Sequence, residues 1–202
     1  MVKDDSRTWT DRGSIAVVIF PSVIQYSLMA KPNAYRTNGS FILRSARHTD
    51  AEAYYLQNFC PLDEEVARLT GSRRDFTHDE VVSFFLSKLD AEEYYHFLLI
   101  DGERIIGESV INEFSSDHDS ANFRIAIFSP MHFGKGLGSW MTYETCVFAF
   151  DVLKLEKLML DVFSFNPMAI RTYEKTGFVK TGYEEDLITM ELRKENLIRH
   201  RA

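Results

Sequence analysis

The sequence predicts an α+β fold with a mixed, mostly antiparallel sheet flanked by helices, and two observations indicate it. Two apolar runs, residues 95–100 and 104–111, flank Asp101-Gly102, which is one of the strongest short signals for a β-hairpin. A third run, residues 121–128, is followed by a glycine-rich segment and then by apolar residues at helical spacing. We therefore expect a β-meander that leads into a glycine loop and a long helix.

The remaining elements complete this α+β pattern. Residues 41–44 read as a strand, and residues 51–58 as a helix capped by Thr49-Asp50. Thr77 with Glu80 three residues later forms a capping box, which predicts a second helix. After the long helix, residues 157–163 predict a strand, Asn166-Pro167 predicts a short helix closing near Gly177, and residues 178–181 and 187–192 predict the last two strands.

The chain of 202 residues is long enough for one domain with a sizeable core. We expect an N-terminal extension at 1–39, the folded domain at 40–194 and a C-terminal tail at 195–202. The apolar stretch at 15–24 is too hydrophobic to lie free in solvent, so we expect it to pack on the domain or on a partner subunit, which makes a homodimer plausible. The surrounding run lacks the roughly 20 clean apolar residues of a membrane span.

Charge and cysteine content narrow the functional classes. Lys and Arg number 23 against 30 Asp and Glu, a formal charge of -7, which argues against a general nucleic-acid surface. The negative charge either keeps the protein soluble or attracts cationic acceptors. Cys60 and Cys146 form neither a disulfide framework nor a metal-ligand cluster, so we expect no metal site. With no recognisable signal peptide, a cytoplasmic protein is expected.

Gly134, Gly136 and Gly138 alternate immediately before the long helix. Glycines let a ligand approach backbone N–H groups closely, and a helix N-terminus adds a partial positive charge, so the segment predicts an anion cradle. A Walker loop is excluded because Lys135 is followed by Gly136 and not by Ser or Thr. A dinucleotide loop is excluded by the even glycine spacing and by the preceding β-meander.

The glycine segment, residues 133–138 with the sequence FGKGLG, resembles the acetyl-CoA loop of the GNAT acetyltransferase superfamily. Residues 166–178, NPMAIRTYEKTGF, resemble the second signature of that superfamily and lie where it is expected. The resemblance covers approximately residues 40–192. Within the superfamily the sequence looks most like the branch of ribosomal-protein N-terminal acetyltransferases and spermidine acetyltransferases. The family position of Arg or Gln is occupied by Phe133, so one polar contact to the pyrophosphate is lacking.

The resemblance implies an N-acetyltransferase that binds acetyl-CoA and transfers its acetyl group directly to a primary amine, without a metal. The loop residues Phe133, Gly134, Lys135, Gly136, Leu137, Gly138 and Ser139 would bind the cosubstrate. Asn166 would hold the pantetheine arm, and Tyr173 would protonate the departing thiolate. Backbone amides of a bulged strand near Ile127 and Phe128 would polarise the thioester carbonyl.

The general base and the acceptor stay open at this point. Many GNAT relatives carry a Glu in the strand before the loop, where this sequence has Asn122 and Phe123. Glu108 and Glu113 on the neighbouring strand are the candidate bases, acting directly or through water. The amine could belong to a protein N-terminus, a polyamine or another small molecule. The alternative of another class is an acyl-CoA-binding sensor with little catalysis.

Overall fold

Within residues 31–199, which the computed structural model describes, eight strands form one sheet in the order β1-β2-β3-β4-β5-β6-β8-β7. The strands are β1 Tyr35–Asn38, β2 Phe41–Ser45, β3 Tyr95–Asp101, β4 Arg104–Asn112, β5 Ser120–Ile127, β6 Lys157–Phe163, β7 Val179–Glu184 and β8 Leu187–Arg193. The helices are α1 Ala51–Asn58, α2 Glu64–Thr70, α3 His78–Asp90, α4 Leu137–Asp151 and α5 Pro167–Thr176. Every strand pair is antiparallel except β5 with β6, which confirms the predicted mixed sheet.

Local capping explains where the helices begin. The Thr77 N–H donates to Glu80 Oε2 at 2.8 Å, and the Glu80 N–H donates back to Thr77 Oγ1, so the predicted capping box opens α3. Helix α2 begins after Asp63, whose carboxylate accepts from the N–H groups of Glu65 and Val66. The sequence analysis did not predict α2.

The central strands are buried on both faces. In β3, Phe97 and Leu99 belong to the core that contains α4 and α5, whereas Leu98 and Ile100 belong to the core that contains α1, α2 and α3. This division follows from the alternation of side chains along a strand. It also explains why β3 reads as an uninterrupted apolar run in the sequence.

The sheet splits between β5 and β6. These strands pair only from Ser120↔Lys157 to Asn122↔Met159, and beyond that point they diverge. β6 instead keeps its pairing with β8 along its whole length, from Lys157↔Arg193 to Phe163↔Leu187. The split therefore opens a cleft between the second half of β5 and the second half of β6.

Both ends of the predicted domain extend further than the sequence patterns indicated. The predicted extension at 1–39 lies mostly outside the described residues, as does its apolar stretch at 15–24, but β1 pairs with β2 and belongs to the sheet. β1 is polar and fully exposed, so it lacks the apolar pattern of a buried strand. At the other end Leu197 is buried against the core, and the Ile198 N–H donates to Thr176 O.

None of the helices in the described part of the chain is long and apolar enough to cross a membrane.

Candidate active site

The split in the sheet leads into a cleft of about 910 Å³. One wall is the second half of β5 with the glycine loop and the start of α4, and the opposite wall is β6 with α5. The remaining wall is contributed by α1, α2 and α3 with the segments that join them. Backbone groups, a helix N-terminus and ionisable side chains therefore face a shared space.

The free edge of β5 supplies backbone donors. The Phe128 N–H donates to Ile106 O at 2.9 Å, so this residue pair is a hydrogen-bonded pair of the β4–β5 ladder. Hydrogen-bonded and non-hydrogen-bonded pairs alternate in an antiparallel ladder, so the N–H groups of Ile125 and Ile127 point away from β4. That edge faces the split, where β6 has already diverged. Ile125 and Ile127 therefore present N–H groups to the cleft.

The expected bulge near Ile127 and Phe128 is not found in the described β5. The β4–β5 register is continuous from Gly107↔Ile127 to Asn112↔Asn122, and the register shift lies between β3 and β4 instead. The Phe128 N–H is already bonded to Ile106 O, whereas the Ile127 N–H points towards the cleft. Phe128 still lines the cleft.

The glycine loop ends at the N-terminus of α4. Gly134 and Gly136 have φ values of 72° and 79°, a left-handed conformation that glycine adopts without the strain of a Cβ. The first intrahelical bond runs from the Trp140 N–H to Gly136 O, so the N–H groups of Leu137, Gly138 and Ser139 lack helical acceptors. They form a site suited to phosphate, at the positive end of the helix dipole.

Asn166 and Tyr173 lie on α5 and face the cleft. Asn166 caps the helix because its Oδ1 accepts the Ala169 N–H at 3.1 Å, which leaves its side-chain NH₂ for a ligand. The Tyr173 ring packs against Phe123 and Phe178, while its hydroxyl has no hydrogen-bond partner among residues 31–199. Burial raises the pKa of Tyr173, so the hydroxyl keeps its proton at neutral pH and can donate it.

Glu108 lies across the cleft on β4. Its Oε2 accepts from His96 Nε2 at 2.7 Å and from the Tyr54 hydroxyl at 2.8 Å, whereas Oε1 has no partner among the described residues. Burial alone would raise the pKa of Glu108, but the hydrogen bond and charge of His96, the Arg124 charge and the Tyr54 bond more than offset it. The pKa of Glu108 is therefore lowered. A fixed, ionised carboxylate with one open oxygen is suited to accept a proton.

A family profile described as an acetyltransferase (GNAT) domain matches residues 40–179. The chain belongs to this family. The spermidine N(1)-acetyltransferase of Vibrio cholerae is 31% identical over 106 residues, which are 52% of this chain and 61% of that relative. The SPbeta prophage-derived uncharacterized N-acetyltransferase YokL of Bacillus subtilis is 27% identical over 157 residues, 76% of this chain and 84% of the relative.

Solved structures show the same GNAT fold. The spermidine N-acetyltransferase of Vibrio cholerae, in complex with CoA and spermine, superposes with a TM-score of 0.68 at 24% identity, covering 79% of this chain and 98% of that one. The ribosomal-protein-S5-alanine acetyltransferase of Vibrio fischeri gives a TM-score of 0.68 at 16% identity, covering 82% of this chain and 100% of that one. The predicted fold and the predicted superfamily are thus confirmed.

Most of the predicted GNAT site residues meet in the cleft, and a few do not. The lining includes the predicted residues Glu108, Ile127, Phe128, Phe133, Gly134, Gly136, Gly138, Ser139, Asn166 and Tyr173. Leu137 is buried in the core, so only its backbone can contribute, and the Lys135 side chain is exposed beside the loop. Glu113 lies beyond the end of β4, where its carboxylate accepts from Asn112 Nδ2, outside the cleft lining.

His96, which holds Glu108 through a hydrogen bond, was not predicted from the sequence. The signal for it was weak, because a single His in an apolar strand is usually only a core residue. Within residues 31–199, no group of three or more His, Cys, Asp or Glu residues is arranged to hold a metal ion.

Proposed function

We propose that this chain transfers the acetyl group of acetyl-CoA directly to an amine, with Glu108 as the base and Tyr173 as the acid. The observation that supports the proposal is that Ile127, Tyr173 and Glu108 all line the cleft that opens at the split between β5 and β6, with a backbone N–H, a hydroxyl and a carboxylate oxygen that have no partner among the described residues. These are the donor for an oxyanion, the proton donor and the proton acceptor that acyl transfer requires.

In this proposal acetyl-CoA binds at the residues that the sequence predicts for it. The N–H groups of Leu137, Gly138 and Ser139 meet the pyrophosphate, and Lys135 adds positive charge beside them. Asn166 donates its side-chain NH₂ to the pantetheine arm. The free edge of β5 pairs with that arm as an added strand would, because the N–H groups of Ile125 and Ile127 face the split.

The proposed reaction has two proton transfers. The neutral amine nitrogen forms a bond to the thioester carbonyl carbon, and the negative charge that develops on the carbonyl oxygen is stabilised by the Ile127 N–H. Glu108 takes the proton that the nitrogen loses, directly or through water. The carbon–sulfur bond breaks, and Tyr173 gives its proton to the sulfur, so CoA leaves as a thiol. No step needs a metal. Glu113 lies outside the cleft lining and has no role in this scheme.

We also propose a cytoplasmic location and a homodimer. The cytoplasmic location is supported by the two isolated cysteines, Cys60 exposed and Cys146 buried. The homodimer rests on the apolar stretch at 15–24, and light scattering of the full chain tests it.

Calorimetry with acetyl-CoA, followed by a screen of amines with thiol release and mass detection of the amide, tests the proposed function. We expect binding together with turnover on at least one class of amine. Binding without turnover on protein N-termini, polyamines and small amines would contradict catalysis and favour an acyl-CoA sensor.

A further inference from the structure

The part of the cleft opposite the cosubstrate wall is strongly apolar. We call this part the acceptor half; it is lined by α1, α2, α3 and their connections, together with Glu108 and Arg124. Its apolar side chains include Phe59, Leu62, Val66, Leu69, Phe76, Val81 and Phe84. Because Leu62, Val66 and Val81 are buried in the core, the accessible apolar surface comes mainly from the phenylalanines and Leu69. Phe59 and Phe76 meet edge to face with ring centroids 5.4 Å apart. Such a surface gains free energy by covering an apolar or aromatic body.

The carboxylates in the acceptor half are already engaged. One oxygen of Glu80 accepts the Thr77 N–H at 2.8 Å and the other accepts Arg73 Nη2 at 2.6 Å, and these bonds lower the pKa of Glu80 to about 2. One oxygen of Glu108 accepts hydrogen bonds from His96 and Tyr54. Between them these two carboxylates leave one open oxygen, that of Glu108, for a cationic amine.

Fixed positive charges also line the cleft. Across the whole cleft the lining carboxylates are Glu80, Glu108 and Asp161, and the lining cations are Arg73, Arg124, Arg171 and Lys175. Of these, Glu80, Glu108, Arg73 and Arg124 belong to the acceptor half, whereas Asp161 lies on β6 and Arg171 and Lys175 lie on α5, in the opposite wall. The Arg124 guanidinium lies in the acceptor half, donates to the neutral Tyr94 hydroxyl and interacts electrostatically with the Glu108 carboxylate. Among the described residues that line the acceptor half, a second or third ammonium group on the acceptor would therefore meet the charges of Arg73 and Arg124 and no further carboxylate oxygen without a partner.

From these observations we infer that the acceptor is a monoamine carried on an apolar, ring-sized body, and not a polyamine. This inference rests on the proposed acetyl transfer. The reacting nitrogen lies at the open oxygen of Glu108, and the body of the acceptor covers the phenylalanine-rich wall. The acceptor therefore differs in class from the polyamine that the name of the Vibrio cholerae relative gives.

The test compares phenethylamine with spermidine in thiol-release assays at saturating acetyl-CoA. We expect kcat/KM to be at least about tenfold higher for phenethylamine, since a matching apolar contact alone discriminates by 10-fold or more. Phe84→Glu removes an aromatic ring from a half-exposed position of the acceptor half and adds a negative charge there, which Lys88 one turn later on α3 offsets in part. This variant should lower kcat/KM for phenethylamine and raise it for spermidine.

Leu56→Glu is the matched control, because Leu56 is similarly exposed on α1 but lies outside the cleft lining. It adds the same charge and should leave the preference unchanged. A higher kcat/KM for spermidine in the wild type would overturn the inference while leaving the proposed acetyl transfer intact. Turnover of neither amine, in protein that binds acetyl-CoA, would count against both the inference and the proposed transfer to small amines.

Discussion

Glu108→Gln removes the proposed base while the surrounding hydrogen bonds can stay in place. Both bonds, from His96 and from Tyr54, go to Oε2, and Oε1 is the open atom. The Gln carbonyl oxygen can occupy the Oε2 position and accept both bonds. Its NH₂ then lies at the Oε1 position, where it cannot accept a proton from the amine.

Glu108→Gln should have a large effect on turnover and only a small effect on the free energy of unfolding. Loss of a general base lowers turnover by on the order of 10² to 10⁴. Each of the two hydrogen bonds weakens by about 1 kcal/mol when its acceptor becomes neutral, so the free energy of unfolding should fall by about 2 kcal/mol at most. Glu108→Ala would instead leave two buried donors unpaired, at about 1–3 kcal/mol each, and is the less informative variant.

The assay is kcat/KM from thiol release, because product release can limit kcat. Thermal unfolding and acetyl-CoA calorimetry of the same preparation show that the variant is folded and binds its cosubstrate. Glu113→Gln is the matched control, since Glu113 is the other candidate base and lies outside the cleft lining. The reasoning would be refuted if Glu108→Gln kept more than about a tenth of the wild-type kcat/KM, or if Glu113→Gln were the variant that lost activity.

Three further perturbations test the site and its surroundings. Tyr173→Phe should lower turnover by on the order of 10² or more with acetyl-CoA affinity little changed; near-wild-type turnover would remove Tyr173 as the acid. Gly136→Glu should abolish acetyl-CoA binding in calorimetry. Gly102→Glu is the control, because Gly102 has a similar positive φ in the β3–β4 hairpin, so this variant should carry the same backbone strain of about 1–2 kcal/mol and still bind acetyl-CoA. Equal affinity of the two variants would show that the glycine loop is not part of the binding site. The hydrogen bonds that His78 donates to Glu52 and then to Asp79 raise the pKa of His78 above 6.5, so His78→Gln should lower Tm more at about pH 6 than at about pH 9; an equal effect at both would contradict the pairing.

The sign of the His78 effect follows from linkage. A group whose pKa is raised by folding contributes stability that is complete below its unfolded pKa, and this contribution is lost as the pH rises through the folded pKa. Glu108 has the opposite sign, because its pKa is lowered in the folded protein. Its contribution is present above the unfolded pKa and is lost as the pH falls through the folded value.

Elements with strong local signals were predicted well. The capping box at Thr77 and the Asn166-Pro167 pair mark the true starts of α3 and α5. The predicted β3–β4 hairpin is present, but its two-residue loop is Gly102-Glu103, because Asp101 still pairs with Arg104. β1 could not be predicted in the same way. It is a short exposed edge strand, held by backbone pairing with β2 and carrying no apolar pattern.

The candidate base shows why part of the site lay beyond sequence reasoning. A regular hairpin starting from Asp101↔Arg104 would place Glu108 opposite Phe97. The register shift next to Leu99 and Ile100 moves the pairing by one residue, so Glu108 lies opposite Leu98. A shift of one residue moves a side chain from one face of the sheet to the other. Here it puts Glu108 on the face that carries Leu98 and His96. The one local signal of this shift is Gly107, which follows the extra residue Ile106, because a glycine inside a strand often marks a bulge.

The most direct test of the central claim is a product balance. The full chain is incubated with acetyl-CoA and an accepted amine, and free CoA thiol and N-acetyl amide are quantified in the same samples. Direct transfer in the cleft predicts one amide for each CoA released, with both products lost together in Glu108→Gln. Release of CoA without amide, or amide formation that is unchanged in Glu108→Gln, would contradict the account.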